Sequence, residues 1–294
     1  MAIKVLMVGS EMVPYAATGG LGDVLGSLPE ACMKGAKKDF DIRVIMPLYG
    51  SIGEEYRSQM TFLGDITVPL AWRKLYCGIF KLEKNGVTVY FLDNEYYFKR
   101  PDLYGSYDDG ERYAYFCKAV MEMMPHIDFF PDILHCHDWQ TGMIPVFLKS
   151  TFATHSFYWG TKSIMTIHNL KFQGVWDIRH FVYNTNLPDY MFTPDKLEFK
   201  SDANMLKGGL VYADYITTVS ETYAEEIKTP YYGEQLDGLL CARSRSLRGI
   251  LNGIDMDANN PATDPYIPFN YSIDNFEEGK AACKKALQEK FGLH

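Results

Sequence analysis

Seven short apolar runs, each leading into a polar or glycine-bearing loop, narrow what this chain can fold into. They cover residues 3–8, 42–46, 87–92, 133–136, 163–167, 215–219 and 249–251. Helical periodicity fills several of the gaps between them, as at 112–124 and 142–149. Strands separated by helices pair in parallel through right-handed crossovers, so the pattern predicts an α/β chain with a doubly wound parallel sheet. The interval 61–92 is richer in β-branched and aromatic residues and predicts a small antiparallel β-hairpin excursion.

In such sheets ligands bind beyond the carboxyl ends of the strands. That rule selects the loops 10–20, 137–142, 168–174, 220–221 and 252–255. The first of them carries Glu11 and reaches the paired glycines Gly19 and Gly20. A helix follows, with Leu21, Val24, Leu25, Leu28, Ala31 and Cys32 on one face. Backbone without side chains feeding a helix N-terminus lets an anion approach free N–H groups and the positive end of the helix dipole. The plainer reading is a sharp turn that needs positive φ.

Charge limits the partners. A net charge of −8 with no basic stripe argues against a general binder of nucleic acid or of anionic membranes. No stretch approaches the roughly 18 apolar residues needed to span a bilayer, and Glu11 interrupts the first apolar run too early for a signal peptide. The six cysteines (Cys32, Cys77, Cys117, Cys136, Cys241, Cys283) show no CxxC pair and mostly sit within apolar periodicity. Buried free thiols in a reducing compartment are expected, hence a cytoplasmic protein. Aromatic residues make up 15% of the chain, which serves either a large core or sugar-binding platforms.

Near Asn259 the composition changes. Pro261, Pro265 and Pro268 lie among Asn, Thr, Asp and Tyr, an extended linker. Asp274 is placed to cap a helix over 275–291, with Gly292 as its stop. The expected division is 1–258 for the main domain and 259–294 for a linker and helix leading to a missing C-terminal domain.

The densest polar cluster is His135-Cys136-His137-Asp138-Trp139-Gln140-Thr141-Gly142. His135 and His137 alternate at a strand end and share a face. A zinc site would need further ligands, and only His168 suggests itself, so no metal is expected. Asp138 reads instead as an acceptor for sugar hydroxyls or a partner for an imidazole. His168, followed by Asn169, ends another strand and is well placed to touch a ligand. Gly20, Gly22 and Gly26 match a variant of the dinucleotide fingerprint, but they start about a dozen residues past Val8. Strand two also ends without a carboxylate, so a nicotinamide site fails on spacing.

Taken in order, these stretches resemble the bacterial glycogen synthase and plant starch synthase family of retaining glucosyltransferases. The resemblance runs through Ser10-Glu11-Met12-Val13-Pro14, Thr18-Gly19-Gly20-Leu21-Gly22-Asp23-Val24, His137-Asp138-Trp139-Gln140-Thr141-Gly142 and Thr166-Ile167-His168-Asn169-Leu170 with Gln173-Gly174. It continues through Lys207-Gly208-Gly209-Leu210, Thr218-Val219-Ser220 and Gly249-Ile250-Leu251-Asn252-Gly253-Ile254-Asp255. It implies a Rossmann-like N-terminal half of the two-domain GT-B arrangement. The implied activity moves glucose from a nucleotide sugar, usually ADP-glucose, to the non-reducing end of an α-1,4-glucan or maltooligosaccharide with retention and without a cofactor.

On the same resemblance, Gly19 and Gly20 offer N–H groups to the donor's distal phosphate, and Asp23 belongs to that signature. His168 and Asp138 stand at the catalytic centre, His168 against the transferring glucosyl unit. Glu11 lines the acceptor and sugar pocket, Tyr104 faces the glucan, and Asn252 sits near the hinge. One position departs from the family pattern: a lysine two residues before the first signature glycine is here Ala17. Losing that charge-assisted contact costs on the order of 2–4 kcal/mol of transition-state stabilisation, with Lys171 and Lys207 as the candidate replacements. The resemblance therefore implies a half-enzyme inactive alone, and the rival reading is a stand-alone glucan-binding or regulatory module.

Overall fold

The computed structural model describes residues 2–35, 39–127 and 129–293. In chain order its strands are β1 (Ile3–Val8), β2 (Phe40–Pro47), β3 (Thr61–Leu70), β4 (Arg73–Lys84), β5 (Val87–Asp93), β6 (Ile133–His137), β7 (Lys162–Ile167), β8 (Val175–Asp177), β9 (Glu198–Phe199), β10 (Asp202–Asn204), β11 (Tyr215–Thr218) and β12 (Leu247–Gly249). Among the described residues nine of them form one sheet in the order β12-β11-β7-β6-β1-β2-β5-β4-β3. From β12 through β5 every neighbour is parallel. Helices flank the sheet, so the doubly wound, Rossmann-like architecture read from the alternation is the one observed.

The central strands are apolar along their length because both faces are covered. Leu6, Val8, Val44, Ile45, Met46, Val89, Phe91, Leu92, Leu134, Cys136, Met165 and Ile167 are all fully buried. The chain winds outward from β1 through β2 to β5, then crosses back to β6 on the other side of β1. The β1/β6 boundary is thus the topological switch point, where a ligand crevice is expected.

The predicted hairpin is an antiparallel extension of the same sheet. β4 pairs with β3 on one side and β5 on the other, and Asn85-Gly86 closes the β4–β5 turn with φ of 51° and 80°. Two consecutive residues at positive φ are what a type I′ turn requires. The last strand lies two residues earlier than its apolar run suggests. Leu247 is the buried residue there, and Ile250 and Leu251 are exposed.

The Gly20–Gly35 helix runs through the buried Pro29. The helices Met143–Lys149 and Met205–Tyr212 approach closely because Gly142 and Gly209 meet where they cross. A Cβ on Gly142 would lie 2.2 Å from the Met205 carbonyl oxygen, and one on Gly209 would lie 3.0 Å from the Gly142 Cα. Among the described residues no helix is long and apolar enough to cross a membrane. Cys77, Cys117 and Cys136 are buried, Cys32 and Cys283 half-buried, and Cys241 exposed, all as free thiols.

The chain divides into two compact units, Met1–Leu251 and Asn252–His294. In the second unit a helix spans Phe276–Phe291, one residue shorter at its start than the sequence suggests. Its N-cap position is Asn275 rather than Asp274, and the Asn275 side chain accepts from the Ser272 N–H. Gly292 ends it at φ 63°, and the Leu293 N–H returns to the Gln288 carbonyl at 2.9 Å, a Schellman closure. Asn252 belongs to this unit.

Candidate active site at the β1/β6 switch point

Three loops converge where β1, β6 and β7 end. After β1 the backbone delivers Glu11, which is 4% exposed, into a ring of donors. Its Oε2 accepts from the Thr18 N–H (2.6 Å) and the Gly19 N–H (3.2 Å). Its Oε1 accepts from the Thr18 hydroxyl (2.8 Å) and the Tyr104 hydroxyl (2.7 Å). Tyr104 also meets Ser10 Oγ at 2.7 Å. Glu11 therefore secures the glycine loop from within, and Tyr104 turns its hydroxyl inward to that carboxylate.

Gly19 and Gly20 are exposed, and Gly20 opens the Gly20–Gly35 helix. The Gly19 N–H points to Glu11 and the Gly22 N–H to the Gly19 carbonyl at 3.0 Å, which leaves the Gly20 and Leu21 N–H groups at the start of the helix as the open donors. Asp23 is exposed in that first turn. Neither glycine has a positive φ. Gly22 is the one that needs its missing side chain: a Cβ there would lie 2.4 Å from the Ala17 Cβ. Lys207 does not replace the missing cation, because its ammonium donates to the Pro194 and Glu198 carbonyls. Lys171 is exposed.

After β6, Asp138 adopts φ 57°, ψ −178°, a region that L-residues rarely occupy. This turn carries its Oδ1 across to the next strand end, where it accepts from the His168 backbone N–H at 2.7 Å. Asp138 thus partners the backbone of His168 rather than an imidazole. The ring of His168 meets another histidine: its Nε2 lies 2.9 Å from His137 Nδ1. His137 is fully buried, and its ring lies 4.2 Å from that of His135, so the two do share a face. His135 Nε2 engages Thr166 Oγ1 at 2.7 Å, which meets Thr217 Oγ1 at 2.6 Å. Among the described residues no group of three or more His, Cys, Asp or Glu is arranged to hold a metal ion.

The electrostatics follow from burial. It pushes the Asp138 carboxyl up to about 7, against the His168 and Asn169 N–H groups that favour its anion. It pushes His135 and His168 down to about 4, with the Glu11 charge opposing the shift at His168, and it lowers His137 as well. Near neutral pH the three imidazoles are uncharged. The corner is built to donate and accept hydrogen bonds from fixed positions through uncharged rings.

A cleft of about 420 Å³ opens from Trp139, the residue after Asp138, along Lys171–Trp176, Phe199 and Glu234–Gln235. Aromatic faces with a few amide and charged groups suit a sugar chain. Gln173 is the hub of its wall. Its Nε2 donates to the Leu170 and Glu234 carbonyls, and its Oε1 accepts from Asn204 at 2.6 Å. Gly174, at φ 63°, has no room for a Cβ, which would lie 2.3 Å from the Trp139 ring. A larger hollow of about 670 Å³ belongs to the second unit, between the linker and its helix, with Asp264, Tyr271 and Lys280 in its lining.

A family profile described as the starch synthase catalytic domain matches residues 4–242. This chain belongs to the starch synthase catalytic domain family. It is 55% identical over 291 residues to a glycogen synthase of Lachnospira eligens and 51% identical to one of Lachnoclostridium phytofermentans. Each alignment covers 99% of this chain and 60% of the relative, so the chain spans about three fifths of the length of the curated relatives it matches. A solved structure, the catalytic domain of starch synthase IV from Arabidopsis thaliana bound to ADP and acarbose, superposes with a TM-score of 0.89 at 29% identity. That match covers all of this chain and 60% of that one.

Of the residues singled out from sequence, the starch synthase fold gathers Glu11, Gly19, Tyr104, Asp138 and His168 into one corner. Gly20 and Asp23 continue it into the helix. His137 was weighed from sequence as a metal ligand and quoted in the stretch that carries the resemblance, but was given no role at the site. The signal for it was the His-x-His alternation at a strand end, and its partner became visible only through the β6–β7 register.

Proposed function

We propose that this chain is the acceptor-side half of a retaining glucosyltransferase that moves glucose from a nucleotide sugar, ADP-glucose by preference, to the non-reducing end of an α-1,4-glucan. The observation that carries the reading is the convergence of Glu11, Asp138 and His168 at the switch point beside an aromatic cleft. In this reading the donor phosphate lies at the first turn of the Gly20–Gly35 helix, where the dipole and open N–H groups favour negative charge. His168 hydrogen-bonds the transferring glucosyl unit. Asp138 Oδ2, which has no protein donor among the described residues, accepts from a sugar hydroxyl. The glucan lies over Trp139 and its neighbours.

A neutral histidine cluster makes a poor base, so the leaving phosphate oxygen takes the acceptor's proton. The protein contributes placement and stabilisation of charge. No metal takes part at the reacting centre, and the setting is the cytoplasm.

The test is incubation with ADP-glucose and a maltooligosaccharide. The chain alone should extend nothing measurable. Joined to the remaining two fifths of a glycogen synthase such as that of Lachnospira eligens, it should extend the glucan. Robust extension by the isolated chain would overturn the half-enzyme reading, and a folded but inactive fusion would overturn the transferase reading. Ala17 and the engagement of the Gly19 N–H by Glu11 favour a second reading, a glucan-binding module that has lost its donor corner. Glucan binding without nucleotide-sugar binding by the fusion would select it.

A further inference from the structure

We propose that His137 is a positioning residue that fixes His168 in the tautomer with its proton on Nδ1, so that the site holds a neutral hydrogen-bond donor aimed at a ligand oxygen. Which ligand arrives rests on the glucosyltransferase reading; the tautomer does not.

His137 Nδ1 and His168 Nε2 face each other at 2.9 Å, so one proton lies between two neutral rings. Two arrangements are open. If His168 supplies that proton from Nε2, the proton of His137 must sit on its own Nε2. That atom is buried without a partner, an N–H with no acceptor. If His137 supplies the proton from Nδ1, its Nε2 is a bare nitrogen and no buried N–H is stranded. His168 then accepts at Nε2 and carries its own proton on Nδ1, the ring nitrogen that has no protein partner among the described residues.

The surroundings favour the second arrangement. The negative charge of Glu11 acts on the His168 ring and favours N–H groups directed toward it. His135 supplies no competing partner: its Nε2 is bound to Thr166 Oγ1 at 2.7 Å, and His137 Nε2 meets no hydrogen-bonding group among the described residues. Asp138 fixes the other end of His168 through the backbone N–H at 2.7 Å, so both the main chain and the ring are held from β6. The outcome is a donor whose direction is set before any ligand binds. It is matched to a hydroxyl or phosphate oxygen and unable to accept a proton at that nitrogen.

The experiment is long-range ¹H–¹⁵N correlation of the imidazole rings in the 294-residue chain without ligand. His168 is assigned by its loss in His168→Gln. The expected result is the Nδ1–H form in the wild type. It should revert to the Nε2–H form in His137→Phe and persist in His137→Asn, whose amide nitrogen can donate from the Nδ1 position. Glucan affinity by calorimetry should fall about tenfold in His137→Phe and stay within about twofold in His137→Asn. An Nε2–H signal for His168 in the wild type would overturn the proposal. So would a His137→Phe chain that loses the tautomer and keeps its glucan affinity.

Discussion

Asp138 holds its carboxylate on backbone that glycine usually occupies, at a cost of about 1–3 kcal/mol. The return is a bond to the main chain of the neighbouring strand end. Its proton is held more tightly in the fold than in the unfolded chain. That contribution is fully present below the ordinary aspartate value near 3.8 and is lost as pH rises through about 7. His135 and His168 behave oppositely. Their contribution is present above 6.5 and is lost as pH falls through about 4. With about 1.4 kcal/mol per pKa unit, two histidines outweigh one aspartate, so acidification from pH 7 to 4.5 should destabilise the chain. Asp138→Asn, which tolerates the same backbone, removes the opposing contribution. Its urea midpoint should fall more steeply than that of the wild type across this range, and a parallel pair of curves would refute the assignment. At the proposed phosphate corner, Ala17→Lys should tighten ADP binding by about tenfold or more, read by calorimetry, with little change in melting temperature.

At the scale of elements, an ion pair stitches the antiparallel edge to the helix Asp109–Met123. Arg73 of β4 pairs with Glu111, which also accepts from Tyr97, while a second arm of Arg73 reaches Asn184 at 3.2 Å. Both charges are largely out of water, so Glu111→Ala should cost about 3–5 kcal/mol in chemical denaturation. The sequence spoke clearly about the parallel strands, because an apolar run covered on both faces needs no partner to be recognised. It spoke less clearly about β12, where the run of apolar letters outlasts the burial. The contact between His137 and His168 was hidden, since it depends on a register between strands thirty residues apart. So was the inward turn of Tyr104, since nothing in Arg100-Pro101-Asp102-Leu103-Tyr104 announces a buried carboxylate as its partner. Glycines were ambiguous for the same reason. Gly22 is required by Ala17, which only the fold of the loop turns toward it, and Gly174 by the Trp139 ring, remote in sequence.

For the molecule as a whole, net charge separates the two ligands of the proposed reaction. Whatever the net charge of −8, binding of an uncharged maltooligosaccharide neutralises no charge and releases no counterions. It should hold constant between 50 and 500 mM salt, to within roughly twofold. ADP affinity, by contrast, should change with salt over the same range. A glucan affinity that collapses with salt would place that ligand somewhere other than the Trp139 cleft.

The Gln173 carboxamide carries a consequence for how that cleft tolerates change. Its nitrogen faces two carbonyl oxygens while its oxygen faces a donor, so the group is legible in only one orientation and only as an amide. Exchanging one atom, as in Gln173→Glu, sets like against like at Leu170 and Glu234. Both walls should then loosen together, seen as a joint rise in amide exchange over 170–176 and 233–236.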